Sequence, residues 1–300
     1  MPRFMLPPTR RCWLSALCLA WLSLLPIQPA AAGGSAPVAT FDWATAETLL
    51  ALEASPVAMG SLQAFHTWTG NRYAQADIID VGVQSLPNVE LLSHIEPRWI
   101  LLPPRQAHLG VKMEGIAPTT VLRPYPYAGE QDLLATLDAF TLETGKLVGR
   151  EREARRLIAE TDAHFTALKE TLDPQPPLLV VQLQDERHAR VYGEHSLFAA
   201  VLERLGLQSA WQGATNAWGY SLVGVDELFA IDNVRLVVIQ GAYPSGFETR
   251  LARSGMWQYL PSVRRGDELV LPAGFWIAGT LPSARRFADA LVQALENPDA

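Results

Sequence analysis

The hydrophobic pattern of this chain alternates between two periods. Short apolar runs predict buried strands, and the segments between them carry apolar residues at helical spacing. The predicted strands are 38–41, 56–59, 78–81, 99–102 and 120–123, followed by 178–183, 236–240 and 268–271. Helices are predicted at 46–52, 89–95, 131–145, 197–205 and 283–295. Strands that alternate with helices are typical of an α/β fold with parallel sheets.

A longer amphipathic segment begins near Arg150 and separates the two halves of this pattern. Ala154, Leu157 and Phe165 fall on one face of it, and most of its charged residues fall elsewhere. A helix of about 22 residues would be roughly 33 Å long, and the proline-rich run 173–177 ends it. We therefore predict an N-terminal α/β lobe at 33–144, a connecting helix at 145–174 and a C-terminal α/β lobe at 175–300.

The N-terminal 32 residues have the layout of a cleaved export signal. Three arginines precede an apolar run at 12–25, and three alanines at 30–32 provide a cleavage site. The run is shorter than the roughly 20 residues that span a bilayer, which disfavours a membrane anchor. The pair Arg10 and Arg11 fits either a twin-arginine signal or an ordinary charged signal. Both cysteines, Cys12 and Cys18, lie in this segment, and we expect a periplasmic mature protein without disulfides.

Composition and motifs exclude several functions. The chain has 300 residues, 49% of them hydrophobic, which is enough for a sizeable core, and a net charge of −7. Without the signal, 21 basic and 31 acidic residues leave a charge of −10, which disfavours nucleic-acid binding. The sequence has no nucleophile elbow, phosphate loop or dinucleotide motif, and its six histidines form no close ligand pair. We therefore expect neither an enzyme nor a protein that ligates metal directly.

The segment 191–226 carries an unusual concentration of aromatic residues. Apolar residues at helical spacing over 197–205 predict a helix that Gly206 ends. The following loop presents Trp211, Trp218 and Tyr220 among glycines and asparagines, a composition that displays flat rings. This loop is a candidate ligand-binding surface.

The same segment resembles the periplasmic ferric-hydroxamate (ferrichrome-type) siderophore-binding proteins of ABC importers. The resemblance is carried by a tyrosine before glycine, a Ser-Leu-Phe helix start, and the motifs Ala-Trp-Gln-Gly at 210–213 and Asn-x-Trp-Gly at 216–219. Looser similarity includes 78–82, 87–92 and 271–276 and extends over the whole mature chain. The resemblance implies the class III binding-protein architecture, in which two Rossmann-like α/β lobes are joined by a single long backbone helix.

The resemblance also implies an aromatic basin between the lobes. A ferric trihydroxamate is neutral and saturates its own iron, so its receptor needs an apolar bowl and a few donors, with no iron ligand or other cofactor of its own. The residues that correspond to this basin, or lie in the loop motif, are Trp43, Trp68, Asn216, Trp218, Tyr220, Phe275 and Trp276.

The polar clamp departs from the family pattern. The family's ligand-facing arginine falls at Gln84, a family tyrosine falls near Arg105 and Gln106, and another falls at Ile277. Arg105 is either a replacement donor from the opposite wall or a solvated loop residue. These changes disfavour ferrichrome itself and leave another hydroxamate or a mixed citrate-hydroxamate siderophore as the expected ligand.

Two acids outside the basin correspond to positions that contact the permease in related proteins. Glu90 and Asp226 would place one carboxylate on each lobe for an inner-membrane ABC permease, although an acid in a first helical turn also stabilises its own helix. We expect a monomer that delivers its ligand without chemistry. The alternatives are a protein of the same fold that binds haem, a corrinoid or zinc, a secreted enzyme, or a structural envelope protein.

Overall fold

The computed structural model describes residues 37–125, 132–241, 243 and 246–297. The predicted export signal at 1–32 lies outside the described residues. Within them, no helix is both long enough and apolar enough to cross a bilayer.

The first half of the chain builds a parallel sheet. The strands of this half are β1 (Val38–Thr40), β2 (Ala58–Met59), β3 (Ile79–Asp80), β4 (Gly82–Val83), β5 (Leu86–Pro87), β6 (Trp99–Leu102) and β7 (Thr119–Val121). The sheet has the order β3-β2-β1-β6-β7 with every neighbouring pair parallel, and β4 and β5 form a small antiparallel hairpin beside it. All residues of β1, at the centre of the sheet, are buried, as expected for a sheet that is covered on both faces.

Helices connect these strands. They are α1 (Trp43–Ala51), α2 (Leu62–Trp68), α3 (Val89–Ile95), α4 (Gly110–Met113) and a 3₁₀ helix at Pro104–Leu109. Asp42 and Asn88 start α1 and α3 as side-chain caps, and each accepts a backbone N–H three residues later at 3.0 Å. Such caps satisfy amide groups that a helix leaves unpaired at its N-terminus.

The chain passes from the first sheet to the second through two consecutive helices, α5 (Leu133–Val148) and α6 (Glu151–Thr171). Gly149 separates them in the left-handed conformation, with φ of 70°. A side chain at Gly145 would lie 2.7 Å from the β-carbon of Ala154, so glycine allows the two helices to pack closely. The long helix begins at Glu151, beside its predicted start near Arg150, and α5 continues to Val148, beyond its predicted end at Gly145. The 21 residues of the long helix span about 32 Å.

The second half contains a mixed sheet. Its strands are β8 (Leu178–Leu183), β9 (His188–Tyr192), β10 (Tyr220–Gly224), β11 (Arg235–Ile239) and β12 (Glu268–Leu271), in the order β10-β9-β8-β11-β12. β11 is parallel to β8 and β12, whereas β9 is antiparallel to both of its neighbours. The sequence pattern did not predict β9 and β10, since alternating charged, aromatic and glycine residues resemble a loop when they are seen without a partner strand.

The helices of the second half are α7 (Leu197–Arg204), α8 (Phe247–Ala252), α9 (Gly255–Gln258), α10 (Pro261–Arg264) and α11 (Leu281–Glu296), with a 3₁₀ helix at Val225–Ala230. Separate buried clusters cover the two faces of each sheet, and the largest joins the second sheet to α5, α6, α7 and α11. The predicted α/β class with two lobes is confirmed.

A buried ionic network joins the lobes. Glu47 of α1 is 0% exposed and forms an ion pair with Arg286 of α11. Its carboxylate also accepts a hydrogen bond from the Ser283 hydroxyl at 2.8 Å and one from the Thr280 backbone N–H at 3.2 Å, at the start of α11. Partial positive charge at this helix N-terminus adds to the attraction. The Arg286 guanidinium also donates to the Tyr73 hydroxyl at 3.2 Å, so residues of both lobes depend on one carboxylate.

We expect Glu47→Gln to lower the free energy of unfolding by about 3 to 5 kcal/mol, because removing one partner of a buried ion pair leaves the other charge uncompensated. Urea unfolding measures this change. The matched control is Glu53→Gln, which removes an exposed ion pair with Arg156 and should cost about 1 kcal/mol or less. Equal destabilisation by the two variants would contradict a central role for the buried network.

Candidate ligand-binding cleft

Two adjoining cavities lie where the two lobes face each other. The first pocket has a volume of about 260 Å³ and the second of about 230 Å³. They share Arg105, Trp218, Trp276 and Ala278, and we refer to both together as the cleft. The first pocket is also lined by Asp42, Trp43, Ala44, Gln84, Pro103, Pro104, Arg123, Pro124, Tyr125 and Ala217, and the second by Arg190, Tyr192, Tyr220 and Ile277.

Strand ends place many of these residues. Asp42 follows β1, Pro103 and Pro104 follow β6, and Tyr125 lies just beyond β7. All three strands are parallel, so their carboxyl ends lie at the same edge of the first sheet. Ligands of open α/β sheets characteristically bind at this edge. The cleft therefore follows from the sheet topology.

Three tryptophans form one contact series, but they do not contribute equally. The Trp276 ring contacts Trp43 and Trp68 edge-on, with ring centroids 4.7 and 5.2 Å away. Trp43 is largely buried and its Nε1 donates to the Gly60 carbonyl at 3.0 Å, so only part of it lines the first pocket. Trp68 ends α2 and lines neither pocket. Its ring contacts Trp276, which lines both pockets.

Trp218 is the most exposed ring of the cleft, at 41%. The Asn216 side-chain oxygen accepts the Trp218 backbone N–H at 2.9 Å and lies 3.4 Å from the Tyr220 N–H. Gly219 has φ of 73°, and a β-carbon there would lie 2.1 Å from the Ser196 nitrogen. Asn216 and Gly219 thus hold the loop that presents Trp218. The Asn216 side chain, predicted to bind ligand, lines neither pocket because it is used within this turn.

Arg105 lines both pockets and contacts residues of both lobes. Its Nη1 is 3.0 Å from Asp42 Oδ1, and its guanidinium carbon is 5.8 Å from the centroid of the Trp218 ring. The other oxygen of Asp42 accepts the backbone N–H and the hydroxyl of Thr45, both at 3.0 Å. Arg105 therefore lines the cleft, and a carboxylate of its own lobe compensates its charge. Among the described residues, Asp42 is its acidic partner, and the guanidinium has further N–H donors that a ligand could use.

Gln84 and Gln106 have different surroundings, although both were predicted to contact ligand. Gln84 lines the first pocket from the turn between β4 and β5. Gln106 is only 5% exposed, and its Nε2 donates to the Gln84 carbonyl at 3.3 Å. Gln106 lines neither pocket and supports the turn that carries Gln84.

The neighbours Phe275 and Trp276 face in different directions. Phe275 is 2% exposed, and its ring packs against Phe198 and Phe287 at 5.9 and 5.5 Å in the core of the second lobe. It lines neither pocket, although the resemblance assigns it to the basin together with Trp276. Tyr220, which was predicted in a loop, is the first residue of β10 and lines the second pocket.

The structure adds residues that the sequence pattern did not single out. The Tyr125 hydroxyl donates to the Gly279 carbonyl at 2.8 Å and so ties the lobes together, and its ring lies 5.9 Å from that of Trp218. Arg190 and Tyr192 come from β9. A signal was present for Tyr125, because aromatic residues directly beyond a parallel strand lie at the ligand-binding edge. Arg190 had no such signal, since β9 itself was not predicted.

Glu90 and Asp226 lie outside the cleft. Glu90 is exposed in the first turn of α3, and Asp226 is exposed in the first turn of the 3₁₀ helix at Val225–Ala230. Across the part of the chain that the structure describes, neither carboxylate makes an ion pair. Exposed apolar side chains lie near each of them in sequence, Val83 and Leu86 on the first lobe and Leu222 on the second.

Within the part of the chain that the structure describes, the cleft has no set of side chains that could ligate a metal directly. No group of three or more histidines, cysteines, aspartates and glutamates converges anywhere among the described residues. Two tyrosines of the cleft, Tyr125 and Tyr192, remain protonated, since burial raises the pKa of both above the usual value of 10.0. For Tyr125 the nearby charges of Glu47 and Asp42 add to this rise. Their hydroxyl groups are therefore hydrogen-bond donors, not anions.

The sequence matches the periplasmic binding protein family over residues 38–273, and the chain therefore belongs to that family. It is 28% identical over 291 residues to the iron(3+)-hydroxamate-binding protein FhuD of Escherichia coli (strain K12), and the match covers 96% of each chain. The resemblance inferred from the loop motifs is confirmed.

Solved structures share the fold. The chain is similar to the Fe³⁺-Desferal-bound siderophore-binding protein FhuD from Vibrio cholerae, with a TM-score of 0.80 and 24% identity over 88% of this chain and 98% of that chain. It is also similar to the petrobactin-binding protein YclQ from Bacillus subtilis, with a TM-score of 0.68 and 18% identity over 88% of this chain and 93% of that chain. The predicted class of two-lobed binding protein is confirmed.

We expect the free energy of unfolding to fall as the pH rises above about 10. The unfolded chain ionises its tyrosines near that pH, whereas the folded chain keeps Tyr125 and Tyr192 protonated. Their contribution is complete below pH 10 and is lost as the pH rises towards their folded-state pKa values. Urea unfolding at pH about 8 and about 11 should show that Tyr125→Phe weakens this dependence.

The control for this prediction is Tyr259→Phe, a change at a tyrosine that is 64% exposed. That variant should keep the alkaline loss of stability shown by the parent. The prediction is wrong if Tyr125→Phe and Tyr259→Phe have the same pH dependence.

Proposed function

We propose that this protein captures a ferric siderophore of the hydroxamate or mixed citrate-hydroxamate type and delivers it to an inner-membrane ABC importer. The observation that carries the proposal is the cleft between two lobes, where Trp218 and Trp276 offer ring surface beside arginine and amide donors. An intact ferric chelate has an apolar periphery and outward-facing oxygens, and this surface complements both. The relatives named for hydroxamate and Desferal binding support the same ligand class.

The proposal assigns the iron to the ligand and not to the protein. A ferric trihydroxamate fills the coordination sphere of its iron, so its receptor needs neither a cofactor nor protein ligands to the metal. The cleft offers the donors and rings that such a receptor uses, and a carboxylate–arginine pair instead of an acidic cluster. The protein then acts by binding and release, without catalysis.

Export and delivery complete the proposal. The segment 1–32 would direct the chain to the periplasm and be removed there, by the general or the twin-arginine route. Glu90 and Asp226 would bind basic residues of the permease, with one acid on each lobe. Their exposure and the absence of ion pairs to them in the described residues support this role. The protein would work as a monomer.

Binding of intact ferric siderophore, but not of bare ferric or zinc ion, tests the proposal. Isothermal titration of the mature protein with ferric hydroxamates, ferric citrate-hydroxamates, haem, cobalamin and the free ions separates the candidate ligands. We expect Trp218→Ala and Trp276→Ala each to weaken siderophore binding roughly 5- to 150-fold, because each loses about 1 to 3 kcal/mol of ring contact.

The control is Trp99→Ala, because Trp99 begins β6 and therefore lies at the opposite edge of the sheet from the cleft. It should bind ligand like the parent. Trp68→Ala should have a smaller effect than Trp276→Ala, since Trp68 contacts Trp276 and not the pockets. Tight binding of a bare ion, or of haem or cobalamin with no siderophore binding, would overturn the proposal.

We expect the double variant Glu90→Lys and Asp226→Lys to bind siderophore like the parent but to lose uptake, because like charges would face the permease. Iron-siderophore uptake is measured in cells that depend on this binding protein. The double variant Glu114→Lys and Glu203→Lys changes the net charge equally, at two other exposed acids, and should retain uptake. Normal uptake by the first variant would refute docking through these acids.

A further inference from the structure

The guanidinium of Arg190 occupies a fixed position on the wall of the second pocket. Arg190 pairs with Gln182 across β8 and β9 and with Leu222 across β9 and β10, so three strands set its position. Its Nη1 lies 3.3 Å from Gln182 Oε1, and its guanidinium carbon is 5.0 Å from the centroid of the Tyr220 ring. The Tyr192 hydroxyl donates to the same Gln182 oxygen at 3.3 Å. Gln182 and Tyr192 are buried, so the support of Arg190 is rigid.

These partners of Arg190 are all uncharged. Other largely buried arginines of the chain contact a carboxylate, such as Arg286 with Glu47 and Arg235 with Asp267. Arg190 makes no ion pair with any residue that the structure describes. The residues that line the second pocket are Arg105, Arg190, Tyr192, Trp218, Tyr220, Trp276, Ile277 and Ala278, and none of them is an acid.

Keeping a charged guanidinium in a half-buried aromatic pocket costs free energy unless an acidic group pairs with it. The missing acidic partner is notable because the chain as a whole is acidic, with a net charge of −7, so that carboxylates are plentiful. Arg105 cannot supply the same effect, since Asp42 already compensates its charge. Among the residues that the structure describes, the second pocket therefore carries a positive charge, that of Arg190, without an acidic partner.

We infer that Arg190 is a specificity-determining residue that selects anionic chelates. This inference rests on the proposed function and narrows its ligand class. The preferred siderophore carries a carboxylate that is not bound to iron, and this group pairs with Arg190 in the second pocket. The ferric centre of the same chelate lies against Trp218 and Trp276, which both pockets share. Guanidinium and carboxylate groups form strong charge-assisted hydrogen bonds, and a neutral chelate would leave Arg190 unpaired.

The test uses one linear ferric trihydroxamate in three forms. Its terminal amine is left free, acetylated or succinylated, so the ferric chelates carry a positive charge, no charge and a negative charge on the same iron-binding core. The parent protein should bind the succinylated chelate roughly tenfold or more tightly than the acetylated one, and the free amine most weakly. The advantage of the succinylated form should shrink as the salt concentration rises.

Arg190→Gln should remove most of the preference for the succinylated chelate and leave binding of the acetylated chelate within about twofold of the parent. Arg190→Lys keeps a positive charge without the planar fork, so it should retain part of the preference. Arg187→Gln is the matched control, because it removes one exposed positive charge from the adjacent turn without altering the pocket. It should keep the full preference.

The outcomes separate this inference from the proposed function. If the parent binds all three ferric chelates equally, or if Arg190→Gln weakens all three by the same factor, charge selection by Arg190 is refuted and siderophore capture stands. If Arg187→Gln lowers the preference as much as Arg190→Gln, the effect belongs to net charge and the inference also fails. If none of the three ferric chelates binds, hydroxamate capture and the inference fall together. Thermal unfolding of each variant checks that the fold is retained.

Discussion

The relative position of the two lobes depends on the contacts of one buried group, the carboxylate of Glu47. It lies buried at the start of α11, pairs with Arg286, and accepts hydrogen bonds from the residues around that helix N-terminus. A buried charge is tolerated only where its partners are fixed, so this network favours one arrangement of α1 against α11. The hydrogen bond from Tyr125 to the Gly279 carbonyl joins the lobes a second time, at the edge of the cleft.

A fixed arrangement of lobes makes the cleft largely preformed. Trp276 comes from the second lobe but packs against Trp43 and Trp68 of the first, so the ring surface itself crosses the boundary. Arg105 belongs to the first lobe and lies over the Trp218 ring of the second, so it crosses the same boundary from the other side. A ligand that meets such walls pays little for ordering them. The long helix α6 and the buried network both join the two lobes.

The loop motif that carries the family resemblance combines two kinds of residue. Asn216 and Gly219 serve the loop: one caps the turn through its side chain, and the other has a conformation and a close contact with Ser196 that exclude a β-carbon. Trp218 is the residue that this construction presents to the cleft. A short motif can therefore mark a loop at the cleft although Asn216 and Gly219, which shape that loop, line neither pocket.

The sequence by itself determined the alternation of strands and helices, the long helix between the lobes and the aromatic loop, because each depends on a local period or a local motif. Strands β8 and β12 match their predicted bounds, while β9 and β10 were not predicted, since their residues resemble a loop when they are seen without a partner strand. Only the tertiary structure decided which side chains reach the cleft. Phe275 turns into the core while Trp276 faces the cleft, and Arg190 lines the second pocket, where none of the described lining residues is an acid. Convergence of residues from separate strand ends is a property of sheet order and packing, which no local pattern contains.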